Sequence, residues 1–181
     1  PGFAGVAAVF GHEWITLANL FCLLMGFALL SKHFEDSHVP AILPRFLPQG
    51  WKGGFVLLVL VFVLSSFLDN IAAALIGGTM ASVVFKGRVH IGYLAAIVAA
   101  SNAGGAGSVV GDTTTTMMWI DGVNPLEVLD AYIAAVTALV AFGLVAARQQ
   151  QAYAPIVTDV PEGIRVDWTR VAIVAFILVT A

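Results

Sequence analysis

Apolar residues in this chain gather into runs, and the runs have two lengths. Residues 14–31 include ITLANLFCLLMGFALL with no charge, and residues 127–147 form a second long stretch. Each is long enough to cross a hydrocarbon core as one helix. Residues 53–68 and 71–85 hold only about 15 residues each, so as helices they rise about 22–24 Å against a core of about 30 Å. The two short runs meet at Ser65-Ser66-Phe67-Leu68-Asp69-Asn70. They predict a re-entrant helical hairpin over 53–85 with Asp69-Asn70 near its tip. Residues 91–120 read as one crossing broken by a glycine-rich stretch, and 171–181 as the start of a further helix. Between the first two runs, Pro40, Pro44 and Pro48 exclude a long helix. The apolar residues beside them (Val39, Ile42, Leu43, Phe46, Leu47) predict a segment lying on the membrane surface. The expected class is all-α: polytopic transmembrane helices with a re-entrant hairpin and a broken helix, in a single membrane domain.

Composition supports lipid as the solvent and the chief partner. Hydrophobic residues make up 60% of the chain and charged residues 10%, where a soluble domain has roughly a quarter charged. A net charge of −3 gives no surface for a nucleic acid. The single Cys22 excludes an internal disulfide. No basic stretch precedes the first apolar run, so no cleavable signal peptide is expected. The chain opens at Pro1 and closes inside an apolar run, which leads us to expect a piece of a longer transporter.

Charge asymmetry orients the layout. Every Lys and Arg falls in the loops 32–52, 86–90 and 148–170, whereas 1–13 and 121–126 hold none. The helix order puts the three basic loops on one face, which the positive-inside rule makes cytoplasmic. Trp14, Trp51, Trp119 and Trp168 all fall at predicted helix ends, the headgroup level that suits indole.

The candidate chemistry lies at the two interruptions. A carboxylate at membrane depth costs about 2.5–3.5 kcal/mol on insertion scales, so it is usually kept for function. At the hairpin tip, Asp69 and Asn70 join carbonyls freed by the first arm, a set suited to a small hard cation such as Na⁺. Asp69 would also serve simply as an N-cap. Ser65 and Ser66 read equally as ligands or as small packing residues. At the second break, Gly104, Gly105, Gly107 and Gly111 let the backbone unwind, and Asp112 precedes Thr113, Thr114, Thr115 and Thr116. Glycines explain packing but not the aspartate, which points either to a second Na⁺ ligand or to a half-helix N-terminus that holds a substrate carboxylate. Ser101 and Asn102 stand on the last turn before this break and complete the candidate set.

Other polar residues read blandly. Asn19 suggests an interhelical hydrogen bond. His33, Glu35, Asp36 and His38 suggest a solvated turn after a helix. His12 and Glu13 read as interfacial, His90 as part of a basic rim, and Asp121, Glu127 and Asp130 as solvated charges at helix ends. No nucleophile–base pair stands out. Gly105 and Gly107 follow no strand, so they make no dinucleotide loop. An enzyme is not expected, and no cofactor beyond Na⁺ or H⁺ as coupling ion.

SSFLDNIAAALIGGTM followed by SNAGGAGSVVGDTTTTMMW resembles the ion transporter superfamily over roughly residues 53–147. Within it, GDTTTTMMWI is most similar to NhaD-type sodium/proton antiporters and a related group of citrate transporters (CitMHS-like). The resemblance implies two inverted repeats, each with a re-entrant hairpin and a broken helix, of which this chain would be largely the first. It also implies a homodimer in a bacterial inner membrane. Asp69-Asn70 falls where dicarboxylate carriers hold a Ser-Asn-Thr tip, and Asp112-Thr113-Thr114 where many relatives hold a Thr-Pro-Pro-type turn. Added carboxylates attract cations and repel anions. The leading expectation is therefore Na⁺/H⁺ exchange with Asp69 and Asp112 alternately holding the cation and protons. The alternative is cation-coupled import of citrate or a related carboxylate. A channel and a non-transporting scaffold are rivals of a different class.

Overall fold

A backbone taken out of water must satisfy its own N–H and C=O groups, and an apolar chain does so most simply as helix. The computed structural model describes residues 3–157, 163 and 165–180. Among them every regular element is helical and none is a strand. In order these are α1 (Phe3–Glu35), α2 (Val39–Ile42), a 3-10 turn (Leu43–Phe46), α3 (Trp51–Ser65), α4 (Asn70–Val84), α5 (Ile91–Gly105), α6 (Thr113–Ile120), α7 (Pro125–Val128), α8 (Ala131–Tyr153) and α9 (Trp168–Thr180). Pro1, residues 158–162 and the side chains of His12 and Glu13 lie outside the described residues.

The bundle is built on α3, α4, α5 and α8, which pack against one another. Leu57, Leu58, Val61, Ile76, Met80, Val84, Tyr93 and Ile97 form its buried centre. Gly77 permits a close approach of α4 to α3: a Cβ there would lie 2.4 Å from Val61 Cγ2. Tyr93, fully buried, donates its hydroxyl to the Gly54 carbonyl and meets Phe85 edge-on at 5.3 Å. On the outside stand large apolar side chains, among them Trp14, Ile71, Leu75, Ile133 and Phe142. A protein in water rarely leaves so continuous an apolar surface. Residues Pro125–Tyr153 form a 29-residue apolar helical stretch long enough to cross a membrane. By contrast, α3, α4 and α5 hold 15 residues each.

Helix α1 runs well before the expected 14–31, from Phe3 to Glu35, because Gly11 does not by itself stop a helix (its cost is about 1 kcal/mol). The segment 39–47 rests on the bundle with Phe46 exposed and Val39, Ile42 and Leu43 half-buried. Leu47 and Pro44 are buried, and α2 and the 3-10 turn pack on α4. Asn19 is exposed on α1.

The basic connections gather at one end of the bundle. Buried Gln150, near the end of α8, accepts from His90 N at 2.7 Å and donates to the carbonyls of Arg88 and Ala154. Arg148 stacks over Trp51 at 5.0 Å, and Val157 N donates to Val84 O. His90 is the N-cap of α5, its Nδ1 accepting from Gly92 N.

The residues His33, Glu35 and Asp36 belong to an ion-paired cluster that ties α1 to α9. Lys32 lies 3.1 Å from both Glu35 and Asp36, and Arg170 reaches Asp36 at 3.5 Å and Asp167 at 3.2 Å. His33 Nδ1 lies 3.3 Å from Arg170. The Lys32 ammonium holds Asp36 below the usual carboxylate value, and the Arg170 backbone N–H does the same for Asp167. Lowered carboxylate values contribute stability above the unfolded value of 3.8, and that contribution is lost as pH falls through the folded values. Lys32 is raised by the same contacts, so its contribution is lost only as pH climbs past 10.5.

Two outcomes follow. Replacing Gln150 with Leu orphans the His90 N–H and two carbonyls, at about 1–3 kcal/mol for a buried group left unsatisfied. Thermal unfolding in detergent should fall by several degrees; an unchanged midpoint would show that water replaces the side chain. The Asp36–Arg170 ion pair that ties α1 to α9, followed by spin-label distances, should persist at pH 5 and loosen only below about pH 4.

Candidate ion-binding site

Where two helices stop side by side, their last carbonyls need donors. Helix α3 ends at Ser65 and α5 at Gly105, and here the chain answers with hydroxyls. Ser65 Oγ donates to Ser101 O at 2.5 Å. Ser66 Oγ donates to Gly104 O at 3.1 Å and to Phe62 O at 3.2 Å. Ser108 Oγ donates to Ser66 O at 2.6 Å and accepts from Val110 N and Gly111 N. Thr115 and Thr116 close the second loop by donating to Ser108 O and Val109 O, and both also reach Asp112 O. From α8, Tyr132 adds its hydroxyl to Gly104 O at 3.2 Å.

The crossover works only with glycine at its contact points. A Cβ on Gly104 would lie 2.0 Å from Phe62 O, and one on Gly111 would lie 2.0 Å from Ser65 O. One on Gly105 would meet Gly111 O at 2.6 Å, and one on Gly107 the Tyr132 ring at 2.5 Å. The opposing atoms are mostly backbone, so they cannot swing aside.

With the hydroxyl protons committed, the amides and carboxylates are left to face outward. Each aspartate starts a helix. Asp69 caps α4 by accepting from Ile71 N and Ala72 N, and Asp112 caps α6 by accepting from Thr114 N at 2.7 Å. Asn70 bridges the two breaks. Its Nδ2 donates to Asp112 Oδ2 at 3.1 Å and to Asn102 Oδ1 at 3.2 Å. Asn102 donates in turn to Val98 O. Asp112 and Asn70 are half-buried, while Asn102, Thr113 and Thr114 are exposed.

The structure therefore sorts the expected site residues into three groups. Ser65, Ser66, Ser101 and Thr115, with Gly104 and Gly105, build the crossover. Asn70, Asn102 and Asp112 meet across it, with Thr113 and Thr114 beside them. Asp69 does not join that cluster: it lines a cavity beside α1, together with Lys32 and Thr79. The two aspartates thus take neighbouring positions, linked through the consecutive residues Asp69 and Asn70. Thr116 joins the crossover as well, and Ser108 and Tyr132 are further participants. Ser108 reads in sequence as part of a packing face, and nothing local marks Tyr132, which lies 28 residues from its acceptor.

The electrostatics are one-sided. The salt bridges of the described residues join Lys32, Glu35, Asp36, Asp167 and Arg170, and include neither Asp69 nor Asp112. Asp112 is held by neutral donors alone.

Over 112 residues the chain is 37% identical to sodium/proton antiporter 1 of Arabidopsis thaliana, an alignment covering 60% of this chain and 17% of that protein. Over 73 residues it is 38% identical to sodium/proton antiporter 2 of the same plant, covering 40% of this chain and 16% of that protein. The chain spans less than a fifth of the length of these curated relatives. No family model matches it, and no solved structure does. Over the aligned part the chain is similar to sodium/proton antiporters, which are membrane transporters rather than enzymes.

Substituting Gly104 or Gly111 with Ala should force the two loops apart at about 1–3 kcal/mol, the usual cost of overpacking, and lower the unfolding midpoint. Gly78→Ala, with nothing within 4 Å of the new methyl, is the matched control and should leave the midpoint level or raised. Equal effects at all three positions would contradict the close crossover.

Proposed function

We propose that this chain is part of a secondary transporter that exchanges Na⁺ for H⁺ across a membrane. Asp112, Asn70 and Asn102 supply side-chain oxygens, and Asp69 stands on the adjoining wall. Support comes from Asp112 itself. Asp112 is half-buried, and the donors it meets, the Asn70 amide and the Thr114 N–H, are neutral, so its charge is left to be matched by a proton or a small cation. The two compete for one acidic side chain, and that competition is the minimum an exchanger needs. Asn and carboxylate oxygens with backbone carbonyls suit a hard ion such as Na⁺. The names of both relatives agree with this cargo, and neither concerns a carboxylate substrate.

In this reading α3 and α4 form a re-entrant hairpin entering from the end that carries Lys52 and Lys86, and α5 with α6 is a crossing broken at membrane depth. The basic end lies in the cytoplasm, as the positive-inside rule requires. A second, inverted hairpin and broken helix would close the open side at Asn102, Thr113 and Thr114.

Asp112→Asn keeps the size and the helix-capping oxygen and removes the charge. In everted vesicles carrying a pH-sensitive dye, a Na⁺ pulse should release protons with the wild-type protein. The variant should lose exchange at least tenfold while staying inserted. Asp69→Asn should also abolish it. Undiminished exchange in both variants would overturn the proposal.

A further inference from the structure

A cavity of about 260 Å³ lies between α1 and α4. Its α1 wall is the stripe Ala28, Lys32 and Glu35; its α4 wall runs from Asp69 past Leu75 to Thr79. That volume is many times the roughly 10–15 Å³ one water requires. Two apolar helices exposed to lipid have no reason to leave such a space with a carboxylate at one point of the wall and a Lys–Glu pair at another.

Distances along the helix give the cavity a direction. Thr79 lies ten residues beyond Asp69, about 15 Å along α4, toward the basic end where Lys86 follows the helix. The Thr79 hydroxyl spends its proton on Leu75 O at 2.9 Å and keeps its oxygen as an acceptor for water. At the α1 wall, Lys32 is engaged by Glu35 and Asp36 at 3.1 Å each. Asp36 lies outside the cavity and also pairs with Arg170, so the cavity wall itself carries one positive charge, Lys32, against two negative ones, Glu35 and Asp69, a balance that concentrates cations and repels anions.

We infer that the α1–α4 cavity is an aqueous, cation-selective route from the basic end of the bundle to Asp69, feeding the Asn70–Asp112 cluster one residue away. This rests on the exchange reading for what travels along it, but not for its being wet. The route makes Thr79 and Leu75 lining residues rather than lipid-facing ones.

Cysteine accessibility tests it. In a Cys22→Ser background, needed because Cys22 is exposed on α1, Leu75→Cys and Thr79→Cys are challenged with membrane-impermeant methanethiosulfonates of either charge. Inside-out and right-side-out vesicles are compared. Ile133→Cys, on α8, is the control: Ile133 is 75% exposed and Leu75 is 68% exposed. Both cavity positions should react from one side only, the cationic reagent at least about tenfold faster than the anionic one, as electrostatic focusing requires. Ile133→Cys should stay unmodified. Reactivity at Leu75→Cys and Thr79→Cys no greater than at Ile133→Cys, or equal rates for the two reagents, would overturn the route. The same vesicles report exchange separately. Labelling without Na⁺/H⁺ exchange upholds the route and removes the cargo; exchange without labelling upholds the cargo and removes the route.

Discussion

Two helices that stop next to each other away from water leave carbonyls with nothing to accept, and the rest of this structure follows from how that is solved. Serine hydroxyls reach from each interruption into the other: Ser65 to Ser101, Ser66 to Gly104, Ser108 to Ser66. Such bonds need backbones nearly in contact, and glycines at 104, 105 and 111 allow it. Unsatisfied, each group would cost several kcal/mol in lipid. Satisfied, the crossover becomes a rigid frame.

Rigidity of that frame is what allows Asp112 to stand without a cationic partner. Its neighbours, the Asn70 amide and the Thr114 N–H, come from two different chain breaks and are placed by the crossover rather than by a salt bridge. An ion pair would have neutralised the carboxylate permanently. Neutral donors hold it in place and, in the exchange proposed above, leave its charge for the ion. Charge pairing is instead concentrated at the α1–α9 junction, where Lys32, Asp36, Asp167 and Arg170 are exposed and serve attachment.

Much of this was legible in the pattern of residues. Helices α3 and α4 stop and start around Asp69, and α5 and α6 around Gly105 and Asp112, because polar and glycine residues interrupt otherwise unbroken apolar runs. What escaped was long-range. The two aspartates look alike in sequence, yet Asp69 faces α1 while Asn70, the next residue, reaches Asp112. That division arises because successive positions at a helix start point in different directions around its axis. Tyr132 and Gln150 stabilise loops 28 and 62 residues away, and local periodicity carries no trace of such partners. The 39–47 segment has the composition of a surface helix, but prolines shorten it and Leu47 finds a place in the core.

Proton release on Na⁺ binding tests the central claim most directly. Purified protein in weakly buffered detergent solution is titrated with Na⁺ while a pH dye is followed. The account predicts that each Na⁺ bound displaces protons, that Li⁺ or Na⁺ but not choline does so, and that Asp112→Asn removes the signal. No proton release from the wild-type protein, or release undiminished in Asp112→Asn, would contradict it.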